Sequence, residues 1–273
     1  MKLKELVEGK LTKKELSMLK GGHDVIGTIA ILEIDKPLRK KRFILARALL
    51  EQHKQITTVL MKQGGHVGEL RVQKMGFIMG KRSKETTQVE NGVRLKLDVE
   101  KVYYSPRSAN ERMRIARQVK KGERVLVMFS GCAPYPLVIA KHSDAHEIVG
   151  VEKNPAGHRY GMANLALNKA TRVVLYKGDA RRVVPKLGKF DRVVMPLPKG
   201  GEDFLMLAMN ALKKGGILHF YDFLHEDDIP KGAEYKIKTS AETIRKKAKF
   251  LSTTRCGQQQ AYVFRTCTDT IIT

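Results

Sequence analysis

Only three cysteines, Cys132, Cys256 and Cys267, occur in the chain, and no two stand at a paired spacing. An odd, scattered count excludes a disulfide framework and fits a reducing compartment. Without a Cys-x-x-Cys pair or a histidine-rich cluster, the sequence offers no structural zinc site, and no metal is expected. No run nears the roughly 20 apolar residues of a membrane span. The opening MKLKELVEGKLTKKELSMLK is charged throughout and lacks the apolar core of a signal peptide. A soluble, cytoplasmic protein away from membranes is the expectation. Gly-x-Gly-x-x-Gly is also missing, which speaks against a dinucleotide fingerprint. Acid is scarce: 28 Asp and Glu face 52 Lys and Arg, a net charge of +24. Such an excess attracts polyanions, nucleic acid before an acidic membrane surface.

What is present suffices for a folded protein. At 273 residues and 42% hydrophobic content the chain can bury one large domain or two modest ones. Leu3, Leu6, Val7, Leu11, Leu16 and Leu19 predict a short basic amphipathic helix over residues 1–20, stopped by Gly21-Gly22. A β-rich run follows over Val25–Ile34, then a helix from about Lys40 to Gln52. Strands are predicted over Ile56–Met61, Leu70–Met79 and Val93–Val99, and Asn91-Gly92 signals a hairpin. Residues 1–102 thus read as a small α+β region. From residue 103 the period changes. Strands over Arg124–Phe129, Glu147–Glu152, Arg172–Lys177, Arg192–Met195 and Gly216–Tyr221 alternate with helices from Leu137, over Pro155–Leu167 and over Glu202–Leu212. Such alternation builds a parallel sheet covered on both faces, so residues 103–273 read as an α/β, Rossmann-like domain. The tail Thr266–Thr273 carries no pattern that assigns it an element.

In open parallel sheets, ligands bind beyond the carboxyl ends of the strands. The first strand of the second half, RVLVMF, ends in Ser130-Gly131-Cys132-Ala133-Pro134, small residues ahead of a helix N-terminus. Glu152 ends the second strand, where a carboxylate can accept both hydroxyls of a ribose. Asp179 ends the third, where one can receive an adenine amino group, and Met195-Pro196-Leu197-Pro198 ends the fourth. Singly, each has a plainer reading as a turn glycine, helix cap or first-turn charge. Four strand ends in order favour adenosylmethionine over NAD.

The blocks DVIGTIAILEI, TTVLMKQGGHVGELRV, VENGVRLKLDVEKVYYSPRSANERMRIA, VLVMFSGCAPYPLVIAK, VEKNPAGHRYGMANLALNK, GDAR and DRVVMPLPKGGEDFL come in this order from about His23 to Tyr221. In that order they resemble the archaeal and eukaryotic tRNA (guanine-N1)-methyltransferases, which act on the purine 3′ of the anticodon. The resemblance implies a Rossmann-like class I methyltransferase domain with a smaller N-terminal α+β domain that positions RNA. It implies S-adenosylmethionine as cofactor and the tRNA anticodon stem-loop as partner; no protein partner is inferred. Glu111 matches the general base for guanine N1, and Arg71 the arginine that steadies the target base. Tyr103 and Arg112 match cofactor contacts, as do Phe129, Gly131 and Ala133 in the loop. Glu152, Lys153, Asp179 and Ala180 match the adenosine site, and Pro196 and Pro198 the reacting end. A wybutosine-pathway relative that transfers an aminocarboxypropyl group from the same cofactor shares many blocks. A tRNA-binding relative without catalysis is a further alternative.

Three departures stand out. Ala133 replaces a family glycine, and Pro196 replaces the asparagine of Asn-Leu-Pro. The family's C-terminal Tyr-Ala-Pro near an arginine is here Arg255-Cys256-Gly257-Gln258-Gln259-Gln260-Ala261-Tyr262. The extra N-terminal domain that inspects the tRNA elbow in many members is expected to be absent or reduced to the first helix. Basic runs at Arg39–Arg42, Lys81-Arg82, Arg112–Arg117 with Lys120-Lys121, and Arg245–Lys247 fit a phosphate-holding surface.

Overall fold

Gly9, at φ 77°, and Thr12 break the predicted N-terminal helix in two. The computed structural model describes residues 3–273, and the first elements are α1 (Leu3–Leu6) and α2 (Lys13–Met18). Thr12 caps α2 with a reciprocal capping box: its hydroxyl accepts the Glu15 N–H at 3.2 Å while Glu15 accepts the Thr12 N–H at 2.8 Å. The apolar spacing survives the break, because Leu3, Val7, Leu11 and Leu19 are all buried. The β-rich run likewise becomes two strands, β1 (Asp24–Ile26) and β2 (Ile29–Leu32), folded antiparallel about Gly27 at φ 55°.

From β2 the chain crosses through α3 (Arg42–Gln52) to β3 (Thr58–Val67), which runs parallel to β2, and returns in β4 (Val72–Gly80). The four-stranded order is β1-β2-β3-β4. Leu45, Ala46 and Leu49 of α3 share one core with Ala30, Leu32, Val59 and the N-terminal leucines. The hairpin of β5 (Glu85–Glu90) and β6 (Val93–Asp98) forms as the Asn91-Gly92 signal predicts. Gln88 and Thr86 of this hairpin accept the N–H groups of Gly27 and Thr28 at 2.6 and 3.0 Å. This first unit runs through Glu90 and resumes over Arg94–Pro106.

The second unit comprises Asn91–Val93 and Arg107–Thr273. Its elements are α4 (Ala109–Gln118), β7 (Arg124–Met128), α5 (Pro134–His142), β8 (Glu147–Glu152), α6 (Pro155–Asn168), β9 (Val173–Lys177) and α7 (Ala180–Val183). They continue with β10 (Phe190–Met195), α8 (Leu205–Ala211), β11 (Leu212–His225), α9 (Lys231–Thr243), β12 (Ala248–Gln260) and β13 (Val263–Ile272). Seven strands lie in the order β12-β13-β11-β10-β7-β8-β9. The strands from β9 to β11 are parallel, and β13 runs antiparallel between β11 and β12.

The unassigned tail is therefore an interior strand. Its Thr266, Cys267, Thr268, Asp269 and Thr270 are buried, so consecutive small polar residues conceal the alternation that marks a strand. The strand order reverses beside β7, with β8 on one side and β10 on the other, which puts the crevice for a ligand at the carboxyl ends of those strands. No helix among the described residues is long and apolar enough to cross a membrane, and all three cysteines are free.

Candidate active site

At the carboxyl end of β7 the backbone curls. Phe129, Gly131 and Ala133 have positive φ (59°, 57° and 69°), alternating with residues that do not. Such alternation turns successive N–H groups toward one side, a shape suited to anionic groups. The Gly131 N–H is held by Glu152 at the end of β8, whose Oε2 accepts it at 2.6 Å; Oε1 accepts the Asn154 N–H, also at 2.6 Å. Burial pushes the Glu152 carboxyl up, against the opposite pull of these backbone donors. With about four acceptor sites, the carboxylate keeps capacity for a further donor beyond its backbone partners. Gly157 in α6 leaves that carboxylate its space, since a Cβ there would stand 3.1 Å from Glu152 Cγ.

Ala133 closes the curl by donating its N–H to the Ser130 carbonyl at 2.9 Å. It is fully buried, and it occupies a left-handed conformation that costs a non-glycine residue roughly 1–2 kcal/mol. Its methyl lies toward Gly161 of α6, where a Cβ on that glycine would be 3.7 Å away. Ser130 Oγ is buried without a hydrogen-bond partner and stands above Gly150 in β8.

Asp179 realises its plainer reading: it is the N-cap of α7, accepting the Arg181 N–H at 2.8 Å. Its other oxygen meets Lys153 Nζ at 3.1 Å, and the backbone bond together with this lysine holds the carboxyl below the usual range. Ala180 beside it is buried. At the end of β10, Leu197 donates its N–H to the Met195 carbonyl at 2.7 Å, closing a three-residue turn around Pro196. Proline's fixed φ suits such an inverse γ-turn, a backbone reason for Pro196 to stand where an asparagine is usual. Pro198 is buried one step on.

Arg71 is not on a strand as its alternation suggests. It sits in the β3–β4 turn at φ 51°, its N–H donating to the Gly68 carbonyl at 3.1 Å. Its guanidinium lies 5.2 Å from the ring centroid of Tyr103, so the first unit brings these two residues together. The other candidates belong to the second unit.

Glu111, in the first turn of α4, is only 5% exposed. Arg114, one turn on, grips both its oxygens at 2.7 and 2.8 Å, and the Tyr221 hydroxyl donates to Oε1 at 2.5 Å. Tyr135 in α5, two residues past Ala133, donates to Tyr221 at 3.0 Å, and Arg112 lies over the Tyr135 ring at 5.8 Å. A buried polar chain thereby ties Glu111 to the loop helix. It also runs the other way. Arg114 bonds Asp269 at 2.6 and 3.3 Å, Asp269 accepts from His219 Nδ1 at 2.7 Å, and Arg192 donates to His219 Nε2 at 2.7 Å. Arg192, fully buried, ends on Glu123 at 2.7 and 3.0 Å.

Because arginine can only donate, His219 is the Nδ1–H tautomer. Burial lowers its proton affinity, so it is neutral. Cys267 joins His219 and Asp269 in a cluster with metal-ligand atoms, but guanidiniums at 2.6 and 2.7 Å already answer Asp269 and His219, and a cation would add to their charge. Sequence reasoning missed this chain. Arg114 had a signal in its i+3 spacing from Glu111; Asp269, His219 and Arg192, distant in sequence, had none.

The strand order, the antiparallel β13 and the curled loop at the strand switch define a Rossmann-like methyltransferase domain. Residues 86–249 match the model of the TRM5/TYW2 methyltransferase domain, and residues 3–83 that of the TYW2 N-terminal domain. The chain belongs to the TRM5/TYW2 methyltransferase family. It is 40% identical over 205 residues to the tRNA (guanine(37)-N(1))-methyltransferase Trm5b of Pyrococcus abyssi, an alignment covering 75% of this chain and 61% of that protein. It is 32% identical to the tRNA (guanine(37)-N(1))/4-demethylwyosine(37)-methyltransferase Taw22 of Nanoarchaeum equitans, covering 79% of this chain and 87% of the relative. The crystal structure of wild-type Trm5b from P. abyssi superposes with a TM-score of 0.89 at 34% identity, covering 96% of this chain and 78% of the other.

Proposed function

We propose that this protein is a cytoplasmic, S-adenosylmethionine-dependent tRNA methyltransferase forming N1-methylguanosine at the position 3′ of the anticodon. The observation that carries it is Glu152, a buried carboxylate folded into the curled loop at the strand switch, with Glu111 linked to the same loop helix through Tyr221 and Tyr135. The donor set fits the cofactor. Glu152 would accept from the ribose hydroxyls, Asp179 with Lys153 and Ala180 would border the adenine, and Phe129, Gly131, Ala133, Pro196 and Pro198 would frame the methionine end. The family resemblance also assigns Tyr103 and Arg112 to the cofactor. When bound, the sulfonium supplies an electrophilic methyl group.

The chain's own residues supply the rest. Guanine N1 carries a proton and becomes a nucleophile only as that proton leaves, so a carboxylate must take it; this is the part of Glu111. Negative charge then develops on the base O6, and Arg71 is the donor that stabilises it. The charge of +24 holds the anticodon stem-loop by its phosphates.

A second reading, aminocarboxypropyl transfer, is favoured by the TYW2-type match of residues 3–83. Two labelled donors separate them. Label in the methyl group is expected to enter tRNA; label entering only from the carboxyl-bearing chain would replace the first reading with the second. Calorimetry showing no donor binding at high concentration would remove both.

A further inference from the structure

A base gripped on both oxygens by an arginine poses a difficulty, and the polar chain behind that arginine resolves it. Resting on the reading of Glu111 as the base, we propose that Asp269 and Tyr221 are positioning residues that set, in opposite directions, how readily Glu111 accepts the guanine proton. In the transfer the N1–H bond breaks and a carboxyl O–H forms on Glu111; the electron pair left on N1 makes the new bond to the transferred carbon. Glu111 ends neutral, and Arg114 would be left as a partly buried cation without that counter-charge. Asp269 is already in place to take it, two oxygens lying 2.6 and 3.3 Å from the guanidinium nitrogens.

Asp269 is in turn fixed. His219 donates to it at 2.7 Å and Gln118 at 2.9 Å, and Arg192 and Glu123 hold the histidine's far side. Tyr221 acts the other way, because its hydroxyl bond favours the charged carboxylate.

The groups around Glu111 include Arg112 and Arg114 on its own helix, Tyr135 from α5, Tyr221 from β11, Cys256 from β12, and Arg265, Cys267 and Asp269 from β13. Burial pushes both thiols and both phenols up, so they stay neutral. Arg265 is occupied with Ser108 Oγ at 2.7 Å and the Cys256 carbonyl at 2.7 Å. Arg114 bonds Glu111 directly, and Asp269 bonds Arg114 from behind.

The test is the single-turnover methylation rate of the full chain across pH, with tRNA transcript and donor saturating, and donor affinity and thermal unfolding measured alongside. Asp269→Asn leaves Arg114 to Glu111 alone, so the acid limb of the profile should move down by about one pH unit, with the plateau rate about tenfold lower. Tyr221→Phe should move the limb up by about half a unit or more. Asp269→Glu, which keeps the charge, should restore the limb toward its place. Donor affinity should be unchanged in the two Asp269 variants, which touch no residue of the donor loop; Tyr221→Phe loses its bond to Tyr135 of the loop helix, so its limb is read at saturating donor.

A merely structural role would lower the rate or the unfolding temperature without moving the limb. Folded variants with both limbs in place overturn the proposal. If Asp269→Asn does not fold, Tyr221→Phe decides alone. Glu111→Gln separates the two ideas: its full activity removes the general-base reading and this proposal with it, while its inactivity beside unmoved limbs removes only this proposal.

Discussion

Glu111 and Glu152 are both buried glutamates, yet they are answered by different partners. Glu152 is answered by backbone N–H groups alone, which leaves lone pairs for a ligand's hydroxyls. Glu111 is answered by an arginine and a phenol whose own partners are charged or buried. Glu111→Ala should therefore lose methylated product while calorimetry still records donor binding; normal turnover would remove its assignment. Glu152→Gln should weaken donor binding by roughly ten- to a hundredfold, the cost of one charged hydrogen-bonding partner. Because burial raises the Glu152 carboxyl, wild-type donor affinity should begin to fall at a higher pH than an ordinary glutamate would impose.

Asp269 has the opposite sign. Its carboxyl is held far below the usual range by His219 and Arg114, overcoming the desolvation that acts against it. Its stabilisation is fully present above the ordinary aspartate value of about 3.9 and is lost as the pH falls below it. In urea titrations the advantage of wild type over Asp269→Asn should therefore shrink on going from neutral to strongly acid solution. The places of Glu152 at the end of β8 and of Pro196 just past β10 were legible because those strands follow their period. Of the groups around Glu111, Arg114 had a signal in its i+3 spacing, but Tyr221 and Asp269 had none, since their bonds to Glu111 and to Arg114 span 110 and 155 residues.

Elements were legible where period and punctuation agreed. The parallel strands, the β5–β6 hairpin and α6 fall where their patterns place them. Misreadings came where a local device overruled period. Thr12 and Gly9 split one helix into two, Gly27 split one β run, and Arg71 left its strand for a turn. β13 escaped notice because its buried residues are polar, paired by hydrogen bonds such as Thr253 with Thr268 at 3.0 Å.

This gives two element-scale expectations. Truncation before Val263 removes a strand paired on both sides along its length, and should abolish cooperative unfolding. Ala133→Gly relieves the left-handed backbone but adds freedom to the unfolded chain, so chemical denaturation should show a net gain of at most about 1 kcal/mol. A loss of stability would mean that the methyl's packing toward Gly161 outweighs the strain.

At the scale of the whole molecule, charge is the dominant fact. With +24 to neutralise, tRNA affinity should fall by about 10³–10⁵ between 50 and 200 mM salt if six to ten phosphates are contacted. A flat response would contradict a phosphate-held complex. Family membership and fold agree with such a partner.

The most direct measurement is mass spectrometry of nucleosides from an unmodified tRNA transcript incubated with this protein and S-adenosylmethionine. The account predicts 1-methylguanosine from the position 3′ of the anticodon, and none with Glu111→Ala. An unmodified guanosine, or an aminocarboxypropyl product in its place, would contradict it.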